Sequence, residues 1–397
     1  MFCEASQGKK GHILANILIW MSPEPGHILP TVKISRDLES VGHKVVYQVP
    51  PAQQGEINEL GFETIGFFDH LCRSVDSSLH RPLHSANSYY TEISRHHTRS
   101  AYIHVFRKEL LNAAREINAD LLIIDGVFDD IFRLCMHEVL PTKCRVARLW
   151  IHLPYRPIAD IDKVKQSGPV IFLSPKDFEI PKLVCEKAVY TEGSPFEKRD
   201  IKGFPWSSIQ DTRPIVYCSF GSQNERYADA EDNLRIIIST AKLARGYKFV
   251  VNAGILAAKL KDLTEQNVLI LPHVPQIRIL QRSVVMILHG GFGSIKDCIY
   301  ERVPMLVIPQ KWDQPLNAKR VNYHGIGLSL DRNQVTPQAV SYAIHTLVES
   351  QTFAHNLMRM RQIFVQQDER KPTAALLESL LTSRIGLRFG QGEPSRF

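Results

Sequence analysis

No run of about 18 apolar residues, the length a membrane-spanning helix needs, occurs in this 397-residue sequence, so stable membrane insertion is not expected. The opening MFCEASQGKKGH lacks the apolar centre of a secretory signal and reads as a polar, disordered tail. Cysteine is scarce and unpaired: seven residues, an odd number, with no Cys-x-x-Cys spacing. That argues against a disulfide framework or a zinc cage and favours a reducing cytoplasm. No Lys/Arg run accompanies the net charge of +7. The charge therefore suits an anionic small molecule, and nucleic acid is not an expected partner. Apolar residues are plentiful, at 44% against 22% charged, which describes a globular chain long enough for two cores.

Both halves alternate short β-branched runs with helical periodicity, the pattern of parallel sheets flanked by helices. The first half predicts strands at ANILIWM, KVVYQV, FETIGF, LLIIDG, RVARLWI and PVIFLS, with its longest helix over 89–117. From Glu192 to Pro214 periodicity is lost and Pro, Gly, Ser and charge accumulate, marking a linker. A second set follows at PIVYCSF, YKFVVNA, NVLIL, VVMILH, PMLVIP and IGLSL, then three helical segments to about Ser383 and a polar tail. The expected architecture is α/β: two doubly wound, Rossmann-like parallel-sheet domains facing across a cleft. Their expected limits are 1–207 and 208–370, with 371–397 as a closing helix and tail. Ligands in such sheets sit beyond the carboxyl ends of the strands.

Two stretches fall there. In LHGGFGS, between a strand and a helix, Gly290, Gly291 and Gly293 let the backbone approach a ligand. The helix start favours a phosphate, to which His289 and the Ser294 hydroxyl add donors. Ser222, in SFGS, ends the first strand of this half and reaches toward the same place. Asp297, three residues after Ser294 on one helix face, suits ribose hydroxyls. Glycine-rich turns are common, so a capped strand-turn-helix corner is the competing reading. Downstream, KWDQ places Asp313 beside Gln314 at a strand end, and an acid next to an amide fits the neighbouring hydroxyls of a pyranose.

In the first half, WMSPEPGHILP places His27 on the loop after the first strand, with a helix from about Ile28. A neutral imidazole there can accept a proton. Asp125, closing the buried strand DLLIID at the same sheet edge, is the candidate to orient it. Asp129 and Asp130 suit the start of the next helix. Five histidines between His80 and His104 include an i, i+4 pair, His80 and His84, read as a polar helix face rather than a metal site.

The ordered set VPQ…HGGFGS…VPMLVIP…DQPLNA resembles the donor-binding signature of the UDP-dependent glycosyltransferases, and more narrowly of the bacterial macrolide and natural-product enzymes. The opening PGHILP…ISRDLESVGHKVVY is similar to theirs as well. The resemblance implies a GT-B fold and inverting hexosyl transfer, with a nucleotide-diphosphate sugar, most simply UDP-glucose, as co-substrate. It implies neither a cofactor nor a metal. It casts His27 as catalytic base with Asp125 in support. It places His273, Val274 and Gln276 near the nucleobase, and Ser222, His289, Gly291, Gly293 and Ser294 at the diphosphate. Asp297 falls to the ribose, and Asp313 and Gln314 to the sugar. Phe67, Tyr89, Tyr90 and Phe106 fall in the region that walls the family's acceptor pocket, with aromatic core as the competing reading. Three positions depart from the family: His273 stands where a stacking Trp is usual, Gly293 for Asn, and Asp297 for Glu. The expected acceptor is an apolar small molecule bearing a hydroxyl, and the expected assembly a monomer or weak homodimer. A membrane-associated lipid glycosyltransferase and a non-catalytic nucleotide-sugar-binding helper are the alternative functions.

Overall fold

The computed structural model describes residues 14–22, 25–67, 99–128, 144–153, 168–193, 203–210, 212–221, 224, 227, 229–263 and 265–382, with only the backbone for Pro25, Ala52, 99–107 and Phe128. The N-terminal tail, the C-terminal tail, Tyr89, Tyr90, Asp129, Asp130, Ser222 and His80, His84, His96 and His97 lie outside this set, as do the side chains of His104 and Phe106. Much of the segment read as a linker, 194–202 and residue 211, lies outside it too.

Two all-parallel sheets organise the described residues. The first runs β3-β2-β1-β4-β5-β6-β7, where β1 is Asn16–Trp20, β2 Lys44–Val49, β3 Glu63–Gly66, β4 Leu121–Asp125, β5 Arg145–Trp150, β6 Val170–Phe172 and β7 Val189–Tyr190. The second runs β10-β9-β8-β11-β12-β13, with β8 Ile215–Ser219, β9 Lys248–Asn252, β10 Val268–Leu271, β11 Ser283–Leu288, β12 Met305–Val307 and β13 Gly327–Ser329. In both, strand order reverses beside the first strand of the half, β1 against β4 and β8 against β11, which opens a crevice at the carboxyl ends. Central strands buried on both faces explain the continuous apolar runs: Leu121 to Ile124 and Val285 to Leu288 are all buried.

Helix α1, Pro25–Ser40, is anchored by Ile28, Val32 and Leu38, three core residues at helical spacing. On the same buried side Thr31 Oγ1 and Ser35 Oγ lie 2.8 and 2.7 Å from the Tyr47 hydroxyl of β2. This packing fixes the helix start, and it corrects one expectation: His27 lies within the first helical turn, not on a preceding loop. The cause is Pro25, whose fixed φ and missing N–H suit the first helical position.

The halves are tied at several points. The last helix, Pro372–Thr382, buries Ala374 and Leu377 in the core of the first sheet. Glu192, just after β7, accepts hydrogen bonds from Thr373 N (3.0 Å) and Thr373 Oγ1 (2.7 Å). The fully buried Lys296 ammonium donates to the Gly193 carbonyl at 2.7 Å.

Candidate active site

A cavity of about 220 Å³ lies in the crevice between the sheets, with walls from both halves. From the first come Gly26, His27, Ile151 and His152; from the second come Gly221, Tyr227, His289 and the turn Gly291–Ser294, closed by Trp312, Asp313 and Gln314.

On the first side, His27 Nδ1 is 2.6 Å from Asp125 Oδ2. That oxygen also accepts the Ser22 backbone N–H at 3.0 Å, and Oδ1 accepts that of Val127 at 3.1 Å. Burial pushes the Asp125 carboxyl up. The His27 charge and hydrogen bond, with the two backbone donors, outweigh it and hold the group below the usual carboxylate range. An anionic Asp125 makes Nδ1 the protonated nitrogen of His27, leaving Nε2 to accept a proton.

On the second side, Gly291 caps helix α2, Phe292–Glu301, whose apolar residues Phe292, Ile295, Cys298 and Ile299 are buried. His289 is gripped by glycines: a Cβ added at Gly291 would stand 2.5 Å from its Nε2, and one at Gly221 2.8 Å from its Cε1. Burial pulls the His289 imidazole down to about 4, with Asp313 opposing, so the ring is neutral near pH 7. It offers an anion a hydrogen bond rather than a charge.

Asp297 and Gln276 do not line the cavity but brace its edge. Gln276 Nε2 donates to Asp297 Oδ2 at 2.7 Å and lies 3.4 Å from Ser294 Oγ. Asp297 is 2% exposed, its Oδ1 has no partner, and burial raises its carboxyl to about 7. A carboxyl held above its unfolded value keeps its proton in the folded state when the unfolded chain has lost it. Stability from this group therefore falls as pH rises from about 4 to about 7. Asp297→Asn is expected to flatten that slope, raising the melting temperature by several degrees at pH 8 and little at pH 4, read by thermal melts.

Asp313 immediately precedes the helix Gln314–Tyr323, six residues past β12, rather than ending the strand. The Gln314 amide oxygen accepts from Gln310 N (2.9 Å) and Lys311 N (3.0 Å), and its Nε2 donates to the Tyr227 hydroxyl (3.0 Å). The side chain thus shapes the turn first and has one N–H left for a ligand. Val274 is buried and His273 exposed, both away from the cavity lining. Phe67 is a correction to the expected acceptor wall. It is 2% exposed, packs 5.4 Å from Trp20 in the core and does not line the cavity.

The lining residues that escaped the sequence reading include His152, Tyr227 and Trp312. His152 stacks on Trp150 at 5.4 Å and meets the His27 ring edge-on at 5.8 Å. Burial lowers its pKa, although Asp313 and Asp125 oppose this. Its signal was available, since WIH ends a strand as ILH does in the second half. Trp312 takes a left-handed φ of 59° and is half-exposed, with the Lys311 ammonium 4.1 Å from its ring centroid.

Residues 251–378 match the family described as Erythromycin biosynthesis protein CIII-like, C-terminal domain. NDP-glycosyltransferase YjiC of Bacillus subtilis is 22% identical over 94% of this chain and 98% of its own length. The uncharacterized UDP-glucosyltransferase YdhE of the same organism is 28% identical over a shorter span, 48% of each chain. Among solved structures, the glycosyltransferase of kitacinnamycin superposes with a TM-score of 0.69 at 20% identity, over 92% of this chain and 99% of the other. Over nearly its whole length the chain is similar to bacterial glycosyltransferases. It has the GT-B arrangement of two facing Rossmann-like domains. Among its described residues no helix is long and apolar enough to cross a membrane.

Proposed function

We propose that this protein is a glycosyltransferase that moves a hexose, most simply glucose, from a UDP-sugar to a hydroxyl of an apolar small molecule, with inversion at the anomeric carbon. One observation carries the reading: the His27–Asp125 pair and the start of helix α2 face one cavity from opposite domains. Nε2 of His27 takes the hydroxyl proton as the oxygen attacks the anomeric carbon. The bond from that carbon to the diphosphate oxygen breaks on the far side, and the nucleoside diphosphate leaves. Asp125 stabilises the imidazolium formed. The leaving diphosphate is assigned to the backbone N–H groups from Gly291 onward and to the Ser294 hydroxyl, with neutral His289 as a further donor. No metal is required.

Asp297, with its unpartnered Oδ1, is assigned to the ribose, and Asp313 with the remaining N–H of Gln314 to the hexose. His273 supports a weaker nucleobase platform than a Trp would, so dTDP-sugars belong in the test. A spinosyn rhamnosyltransferase of the same fold was solved with thymidine diphosphate. The deciding experiment is incubation with UDP- and dTDP-sugars and a panel of phenols and polyketides, read by mass. A gain of one hexosyl unit on a panel member is the expected result. Absence of donor turnover, whether to an acceptor or to water, would sink the assignment.

A further inference from the structure

The segment after β6 enters the second domain as a peg. Phe178 is fully buried, with its ring stacked 5.3 Å from Phe292, the first residue of α2, and 5.5 Å from His324. His324 Nε2 lies 3.0 Å from the Phe178 carbonyl, which can only accept, so that nitrogen donates. The next residue, Glu179, grips Arg320 with both carboxylate oxygens: Arg320 Nε to Oε1 and Nη2 to Oε2, each 2.8 Å. Arg320 Nη1 donates to Asn317 Oδ1 at 2.7 Å. Asn317 Nδ2 then donates to Asp313 Oδ2 at 2.7 Å and to the Gly290 carbonyl at 2.9 Å. Glu179, Arg320, Asn317 and Asp313 are all buried.

We infer that Glu179, Arg320 and Asn317 form a positioning relay through which the first domain sets the Asp313 carboxylate, and with it which hexose the donor site prefers. This rests on the donor reading above. A guanidinium has donors only, so it dictates which end of the Asn317 amide faces it. The NH₂ end is thereby turned toward two acceptors, the Asp313 carboxylate and the carbonyl of the diphosphate turn. Rotated by half a turn, the amide would set its oxygen against both. Arg320 is held in turn by a planar two-point contact that Lys could not reproduce. One amide thus joins the phosphate cradle to the sugar carboxylate, and its orientation is fixed from the other domain. Asp313 has one oxygen occupied by Asn317, so its other oxygen meets a sugar hydroxyl at a set angle, the condition for telling epimers apart.

The test is calorimetric titration of the wild type and two variants with UDP, UDP-glucose and UDP-galactose. Replacing a buried ion pair by apolar residues is often tolerated, so the first variant is the double substitution Glu179→Met with Arg320→Met. The second, Glu179→Gln, keeps the shape and removes the charge, and is read by the same criteria if the first does not fold. The expected result is UDP affinity within about threefold of wild type, while the preference between the two epimers shrinks about tenfold or more. An unchanged preference overturns the relay. So does a parallel loss for UDP and both sugars, which would mean the pair only holds the domains together. Failure of the wild type to bind any of the three sinks the donor reading and the relay with it, a result distinct from binding with unchanged preference.

Discussion

His27→Ala is expected to lower turnover by about a hundredfold or more at saturating donor and acceptor, the usual contribution of a general base. Donor binding should be unaffected, because the diphosphate and sugar contacts assigned above lie on the other domain. Asp125→Asn separates orientation from charge. The amide keeps the volume and can still accept a backbone N–H, but it cannot balance an imidazolium at 2.6 Å. A loss of about two to four orders of magnitude is expected, as when a buried supporting carboxylate is neutralised elsewhere. The pH profile gives the sign. A nearby anion favours protonated His27, so its removal lowers the pKa of the base, and the acid limb of the rate profile moves to lower pH. Transfer at the normal rate by His27→Ala would show that another group takes the proton.

The sheet strands were legible because they are buried on both faces: runs such as LLIID and VVMIL admit no polar alternation when helices cover each side. β7, only Val189–Tyr190, was missed because two residues carry no period. The helical start at Pro25 was misread as loop, since a proline-rich stretch signals a break as readily as a helix start. Short-range site chemistry was also legible: His289 to Ser294 and Asp313 with Gln314 are read from neighbours along the chain. What pins them was not. Glu179 and Arg320 are 141 positions apart, and nothing in the local spacing of either announces the other. Gln276 was expected near the base, yet its amide meets Asp297 and lies near Ser294, 21 and 18 positions on. Phe67 shows the converse limit, because an aromatic residue just past a strand looks the same whether it faces a pocket or, as here, a tryptophan in the core.

Gly291→Ala is expected to raise the dissociation constant for UDP about a hundredfold or more, the largest single effect on the donor side. The added methyl would stand 2.5 Å from His289 Nε2, closer than packed atoms approach. The imidazole has little room to yield, since Gly221 crowds the same Nε2–Cε1 edge and the Tyr227 ring lies 5.9 Å away. Either the ring is driven toward the space a phosphate would occupy or the helix start moves. Both misalign the backbone N–H groups, and a donor array loses its advantage over water when it is no longer preorganised. Ser294→Ala removes one hydroxyl and disturbs no backbone, so about tenfold is expected, the scale of a single hydrogen bond. Titration of both variants with UDP, alongside circular dichroism to establish folding, checks the ordering. Wild-type affinity in a folded Gly291→Ala protein would place the diphosphate elsewhere in the crevice, and the proposed path from donor to His27 would have to be redrawn.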